Sequence, residues 1–312
     1  MKSNPTGLYV HIPFCLKKCN YCDFCSFPAV STGERAEYID ALRREIDGYR
    51  GRGIHADTVF FGGGTPSLLS PDEFLMITDA LHRSFDIQPG AEFNVEMNPK
   101  TESKDKLAAY RSAGVNRISI GLQSIHEKEL KKLGRVHSYG DFLHALDDVH
   151  NAGIENVSAD IMYGIPEQTA LTFEETLRKV ATLGLTHISA YGLIIEEGTL
   201  FFRERDSLSL PDEDTEREMY FSAIEILGEY GFSHYEISNY ARPGYECRHN
   251  LHYWHDDDYI GLGTAAYSCY GGARFGNTAI LSDYVNGKFH SGDRERLLNM
   301  QCFVSGCLRD FH

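Results

Sequence analysis

Apolar and polar residues alternate with a period of two in several short runs. Phe93, Val95 and Met97 share one face of such a run and Asn94, Glu96 and Asn98 the other. Ile118, Ile120 and Leu122 likewise oppose Ser119, Gly121 and Gln123, and Val157, Ala159 and Ile161 oppose Ser158 and Asp160. This alternation marks strands with two unlike faces. Strands are expected at residues 8–12, 58–61, 93–97, 117–123, 157–163 and 187–195. Between them the apolar spacing turns helical, as in Ile39, Leu42 and Ile46 or Phe74, Ile77 and Leu81. Ser70-Pro71-Asp72-Glu73 supplies an N-cap, a first-turn proline and a capping-box glutamate, and Thr172 with Glu175 repeats that logic.

The helix ends carry a repeated signal. Gly114, Gly153 and Gly184 each precede an apolar residue and then a strand, and Gly231 begins a looser fourth copy. A left-handed glycine closing a helix before a strand, recurring at irregular intervals, predicts stacked βα units on a parallel sheet rather than a solenoid. Helices would cover the outer face, so the polar set should point inward. A polar, small-residue interior implies a partly open barrel around a polar ligand. The competing arrangement is an antiparallel sheet with one wet face.

From about Pro211 the texture changes to a helical stretch reaching Gly231. An aromatic segment rich in His and Asp follows to Asp258, then Gly261-Leu262-Gly263-Thr264 and a weakly patterned tail of about 30 residues. The expected division is residues 1–210, the α/β partial barrel, and residues 211–312, a short α+β accessory region packed closely on it. The net charge of −15 argues against a nucleic-acid partner but not against a small anionic ligand. No apolar run approaches the ~20 residues of a membrane span. Met1-Lys2-Ser3-Asn4-Pro5 has no apolar signal core, so a cytoplasmic protein is expected.

Four of the eight cysteines crowd between Cys15 and Cys25. In a reducing compartment such crowding favours metal ligation over disulfides. Cys247, Cys269, Cys302 and Cys307 have no matching spacing and are expected as small buried hydrophobes. Cys15, Cys19 and Cys22 follow the first strand, where βα barrels carry their active sites. Three thiolates can hold three corners of a cubane and leave the fourth iron open. A four-cysteine zinc site, or a closed cluster completed by Cys25, uses the same residues. Gly62-Gly63-Gly64-Thr65-Pro66-Ser67 ends the second strand, where bare backbone can approach a ligand or simply turn.

Cys-x3-Cys-x2-Cys after Tyr9-Val10-His11-Ile12-Pro13-Phe14 resembles the radical S-adenosylmethionine (SAM) superfamily. The resemblance implies a partial (β/α)6 barrel and a [4Fe–4S] cluster on Cys15, Cys19 and Cys22. It also implies S-adenosylmethionine held by Tyr9, Tyr21, Gly63, Gly64, Thr65, Glu96, Gln123, Arg135 and Asp160. Glu96 would take the ribose hydroxyls, the glycine motif the methionine amino group, and Arg135 the carboxylate. Further motifs resemble the group around oxygen-independent coproporphyrinogen oxidase: Ser119-Ile120-Gly121-Leu122-Gln123-Ser124, Asp160-Ile161-Met162-Tyr163-Gly164-Ile165-Pro166 and His234-Tyr235-Glu236-Ile237-Ser238-Asn239.

Within that group Cys22-Asp23-Phe24 is similar to the HemW-type heme chaperones. The decarboxylases have a fourth cysteine where Phe24 stands, and Cys25 lies one position beyond. Arg248-His249-Asn250-Leu251-His252-Tyr253-Trp254 matches the chaperones' His-Asn-x-x-Tyr-Trp motif. That match implies heme on His249, Tyr253 and Trp254, with Arg242 or Arg248 for propionates and His252 or His255 as substitute ligands; the plain alternative is a packing turn around the only Trp. Two departures stand out. Tyr267 occupies a position that is often His, and the chain reaches His312 without the family's C-terminal helical domain. The implied function is a heme chaperone delivering heme to apo-proteins, with peripheral membrane association through those partners left open. The alternative is a coproporphyrinogen III oxidase converting propionates to vinyls in porphyrin biosynthesis. A ferredoxin-like or zinc protein using Cys25 is the third reading.

Overall fold

The computed structural model describes residues 5–28 and 30–296. Six parallel strands form its centre: β1 (Thr6–Ile12), then, after the two-residue pieces β2 (Phe14–Cys15) and β3 (Phe27–Pro28), β4 (His55–Gly63), β5 (Asp86–Met97), β6 (Arg117–Gln123), β7 (Asn156–Tyr163) and β8 (His187–Gly192). Helices α1 (Thr32–Asp47), α2 (Pro71–Ser84), α3 (Lys104–Ser112), α4 (Glu127–Leu133), α5 (Tyr139–Asn151) and α6 (Ala170–Ala181) make the crossovers. The sheet stays open, as a partial barrel should.

The capping box at Ser70 and Glu73 forms as read. The one at α6 is shifted: Thr169 is the N-cap and Thr172 its N3 partner, because the helix begins at Ala170, two residues before the expected cap. Gly114, Gly153, Gly184 and Gly231 all adopt positive φ, between 76° and 94°. β5 starts at Asp86 rather than 93, its first residues pairing with His55 and Ala56 of β4 before a register shift. β8 ends at Gly192 rather than 195.

Beyond residue 210, after α7 (Leu200–Glu204), the chain continues the same sheet at both edges. α8 (Glu213–Glu229) leads to β9 (Ser233–His234) and β10 (Asn239–Ala241), which pair antiparallel beyond β8. The segment read as a possible turn around Trp254 is α9 (Arg248–Trp254). The glycine-rich Gly261-Leu262-Gly263 is no simple turn: β11 (Tyr259–Leu262) is a seventh parallel strand, seated beside β1. Its apolar Ile260 and Leu262 are fully buried, and only Gly263, at φ 103°, turns. β12 (Tyr267–Tyr270), β13 (Ala273–Asn277), α10 (Leu281–Val285) and β14 (His290–Arg296) complete that edge.

The outward strand faces make the core. Val59, Phe61, Val95, Ile118, Ile120, Val157 and Ile161 are buried against Leu42, Phe74, Ile77, Phe142 and Phe173 of the helices. Each such side chain contributes roughly 1.5–3 kcal/mol on burial, which fixes the register and holds the opposite, polar faces inward. Cys247 and Cys269 are buried as expected, while Cys302, Cys307 and most of the predicted tail lie outside the described residues. Among the described residues no helix is long and apolar enough to cross a membrane.

Candidate functional site

β1 delivers the chain to the C-terminal edge of the sheet, where Cys15, Cys19 and Cys22 border a cavity of about 450 Å³. Asn20 straps their loop in place. Its N–H donates to Leu133 O (3.0 Å), its Nδ2 to Lys132 O (2.7 Å), and its carbonyl accepts from Phe201 N–H (2.9 Å). Thr65 Oγ1 lies 3.6 Å from Cys15 Sγ, and Arg135 Nη1 lies 3.6 Å from Cys19 Sγ. Burial, with the neighbouring Cys19 thiol adding to it, pushes the Cys22 thiol up to about 12, and burial also raises Cys15. Such thiols stay protonated until a metal displaces the proton. Among the described residues no three His, Cys, Asp or Glu side chains converge tightly enough to hold a single ion. Three soft donors spread around a roomy cavity suit a cluster better than one zinc.

The polar strand faces line the same cavity: Glu96, Asn98, Ser119, Gly121, Gln123 and Asp160 all reach it. Arg135 Nη2 donates to Asn98 Oδ1 (2.5 Å) and to Gly121 O (2.8 Å), and Asn98 Nδ2 donates to Thr65 Oγ1 (3.0 Å). Ser119 Oγ donates to Asp160 Oδ1 at 3.0 Å. Glu96 accepts from Gly63 N–H at 3.2 Å. Burial and then the Asp160 carboxylate push Glu96 up to about 8. Two acids facing the same cavity invite hydroxyl or ammonium donors from a ligand. Gln123 ends β6 at φ 71°, beside a register shift against β7. A non-glycine residue in that region is strained, and such strain clusters where a side chain must be aimed.

The glycine motif serves packing as well as access. A Cβ on Gly63 would stand 2.5 Å from the His11 ring, and one on Gly64 would stand 2.7 Å from Phe14 O. His11 Nε2 donates to Cys25 O (2.8 Å) and Nδ1 accepts from the Tyr9 hydroxyl (3.0 Å), so the ring braces the cysteine loop from below. Burial lowers His11 to about 4, which keeps it neutral.

The remaining wall is aromatic. Tyr9, Phe60, His249, Tyr253, Tyr259 and Tyr267 border the cavity. His249 stacks on Phe60 at 5.1 Å and is only 1% exposed. Its Nδ1 lies 2.8 Å from Thr58 Oγ1 and its Nε2 lies 2.9 Å from the Tyr253 hydroxyl. Burial, with His252 adding to it, lowers His249 to about 3, so the imidazole is neutral. His249 touches Thr58 and stacks on Phe60, four and two residues before Gly62, the first glycine of the motif.

All the expected S-adenosylmethionine positions (Tyr9, Tyr21, Gly63, Gly64, Thr65, Glu96, Gln123, Arg135 and Asp160) border this one cavity, with His249 and Tyr253. Trp254 does not border it, although Asn250 on the same helix does. His252 is committed to Asp57, with Nε2 at 2.8 Å from Oδ1, and does not border the cavity; nor does His255. Arg248 bonds Asp57 and Gly90 O, and Arg242 bonds Leu185 O and Tyr230 O, so neither guanidinium is turned to the cavity for a propionate. Thr58, Phe60 and His11 were missed by the sequence reading. Thr58, Phe60 and Gly62 follow the same period-two rule that exposed Glu96, but aromatic and threonine positions do not announce polarity.

The chain matches the Radical SAM superfamily over residues 9–180. It belongs to the radical SAM superfamily. Within it the chain is similar to proteins named heme chaperone HemW. The relative from Synechocystis is 39% identical over 97% of this chain and 74% of its own length. Those from Escherichia coli and Bacillus subtilis are 38% and 36% identical, over 86% and 89% of this chain and 71% and 74% of their own. A solved structure described as coproporphyrinogen III oxidase (HemN) from Escherichia coli, a radical SAM enzyme, superposes with a TM-score of 0.82 at 25% identity. The match covers 95% of this chain and 73% of that one.

Proposed function

We propose that this radical SAM chain holds a [4Fe–4S] cluster on Cys15, Cys19 and Cys22, binds S-adenosylmethionine beside it, and carries heme for delivery to apo-proteins. The observation that carries the reading is the single cavity, thiol-edged and polar near the strand ends and aromatic around His249. Bound there, the cluster with its cofactor would supply one-electron chemistry. Glu96 and Asp160 would accept hydrogen bonds from the cofactor's hydroxyls, and Arg135 would face its carboxylate beside Cys19, with Gln123, Thr65, Gly63, Gly64, Tyr9 and Tyr21 around it. For heme, Thr58 can hold Nδ1 of His249 so that Nε2, now turned to Tyr253, presents its lone pair to iron. The relatives' name supports the cargo. Heme titration of the anaerobically reconstituted protein tests this: His249→Ala should lose affinity and shift the heme absorption bands, and an unchanged spectrum would refute the ligand.

The structural likeness to coproporphyrinogen III oxidase favours a second reading, oxidative decarboxylation of a porphyrinogen in the same cavity. Against it, Phe24 stands where the enzymes' fourth cysteine would be and borders the cavity, 41% exposed. Conversion of coproporphyrinogen by the reconstituted protein would establish the enzyme over the chaperone.

A further inference from the structure

The imidazole of His249 is held on several sides. Thr58 Oγ1 meets Nδ1 at 2.8 Å, and the Tyr253 hydroxyl meets Nε2 at 2.9 Å. The Phe60 ring stacks on it at 5.1 Å. A Cβ on Gly7 would stand 3.2 Å from Cε1, so that edge lies against the bare backbone of β1. The imidazole is almost wholly buried, whereas Tyr253 is half-buried and borders the cavity. Its ring stands at 87° to the imidazole, with centroids 5.2 Å apart, and packs edge-on against Tyr259 at 4.6 Å. Nδ1 is taken up by β4, which leaves Nε2 as the nitrogen for a ligand, and Tyr253 covers it.

A neutral imidazole has one donor and one acceptor nitrogen. With the proton on Nδ1, donated to Thr58, Nε2 accepts from the Tyr253 hydroxyl. With the proton on Nε2, that nitrogen donates to Tyr253 and has no lone pair to give. In neither arrangement is Nε2 open to a metal. Metal–imidazole bonds are about 2 Å long, so iron on this lone pair would lie only about 1 Å from a hydroxyl oxygen at 2.9 Å in the same direction. Hydroxyl and iron therefore exclude one another.

Resting on the heme reading proposed above, we infer that the Tyr253 hydroxyl is a built-in competitor for heme iron. It caps Nε2 until iron binds, turns aside to admit it, and recaps the ring as the cargo leaves. Only molecules with Tyr253 turned aside are competent to bind, so the apparent affinity is lowered by their fraction. A carrier has to release what it holds. A hydroxyl one helical turn away supplies the replacement bond that an emptied, buried nitrogen needs. The exchange is a substitution at nitrogen: the Nε2–iron bond forms as the Nε2–hydroxyl bond breaks. The imidazole proton stays on Nδ1, and the iron keeps its oxidation state.

The test titrates the full chain with ferric heme and, as a control, with metal-free protoporphyrin, read by absorbance and fluorescence. Tyr253→Phe keeps the ring and removes only the hydroxyl. It should hold ferric heme about two- to tenfold more tightly than the wild type, the share of one hydrogen bond. Both proteins should show the bands of an imidazole-ligated heme, and the variant should pass its heme more slowly to excess apomyoglobin. Protoporphyrin, which has no iron to offer Nε2, should bind the two alike and shows that the variant is folded. Equal or weaker heme affinity in Tyr253→Phe would overturn the proposal. So would an equal gain for the metal-free porphyrin, which would mean altered packing. Loss in the variant of a phenolate-to-iron charge-transfer band present in the wild type would also overturn it, by making Tyr253 a ligand. Absence of heme binding in both proteins would instead sink the heme reading, and the competitor with it.

Discussion

His249 Nδ1 and Thr58 Oγ1 lie 2.8 Å apart, both residues almost wholly buried. The contact joins the second strand of the barrel to a helix 191 positions later in the chain. Thr58→Val keeps the volume but removes the partner. The expected cost is about 1–3 kcal/mol of unfolding free energy, the penalty for a buried ring nitrogen left unsatisfied. If His249 ligates heme, the same variant should weaken heme binding less than His249→Ala does. Denaturant melts and heme titration together check this; an undiminished midpoint would mean that water or Tyr253 replaces the bond.

Gly63→Ala should be poorly tolerated. Its φ of 107° and the 2.5 Å approach of a Cβ to His11 leave no relaxed solution, because His11 is held by Tyr9 and Cys25. A loss of about 2–4 kcal/mol is expected from backbone strain and overpacking combined. Gly90→Ala, also at positive φ but with open space around it, should lose only the smaller backbone share. Thermal melts of the two variants separate the contributions.

Glu45 gives the apoprotein a pH signature. It is buried beneath Tyr284, Asn277 and the Gly263 N–H, and burial raises it from 4.5 to about 7 despite those three donors. A carboxyl raised on folding contributes stability that is full below about 4.5 and is lost as pH climbs through about 7. The full swing is on the order of 3 kcal/mol. Glu45→Gln should flatten the stability profile between pH 5 and 8, measured by urea melts. An unaltered profile would assign the dependence to other buried acids such as Glu96.

Cys25 and Cys22 should behave differently. Cys22→Ser is expected to abolish cluster assembly, while Cys25→Ser retains it. Cys25 is engaged through its carbonyl with His11 and its thiol lies 3.7 Å from Ala279 O, a bracing position. Iron and acid-labile sulfide content after anaerobic reconstitution decides between them. Equal loss in both would point to a four-cysteine site.

Much of the barrel was written in plain alternation. Asn94, Glu96 and Asn98 opposite Phe93, Val95 and Met97 gave both the strand and the face that turns inward, because only one face can meet the helices. The left-handed glycines were equally legible, since few other residues take that conformation cheaply. β11 was not. Tyr259, Ile260, Gly261 and Leu262 are too few to show a period, and their strand character comes from lying against β1. The α6 cap slipped for a related reason: Thr169 and Thr172 both have capping chemistry, and only the helix's packing chooses between them. At the site, the cysteines and polar strand ends were readable from residue type. Trp254 was assigned to heme from its motif, and it does not border the cavity that His249 and Tyr253 border. Thr58 and His11 act through partners distant in sequence, which spacing alone does not reveal.

The pairing of Gly7 with Tyr259 has a consequence for biosynthesis. β1 is the first strand made, and its outer edge stays bare until about 250 further residues have left the ribosome. Contacts of such sequence separation form late, after shorter loops have closed. Throughout that interval Cys15, Cys19 and Cys22 follow a strand that has at most one neighbour. The frame around them is therefore finished only once the chain has been translated past Leu262, so iron and sulfide would be installed after that point rather than while β1 alone has emerged.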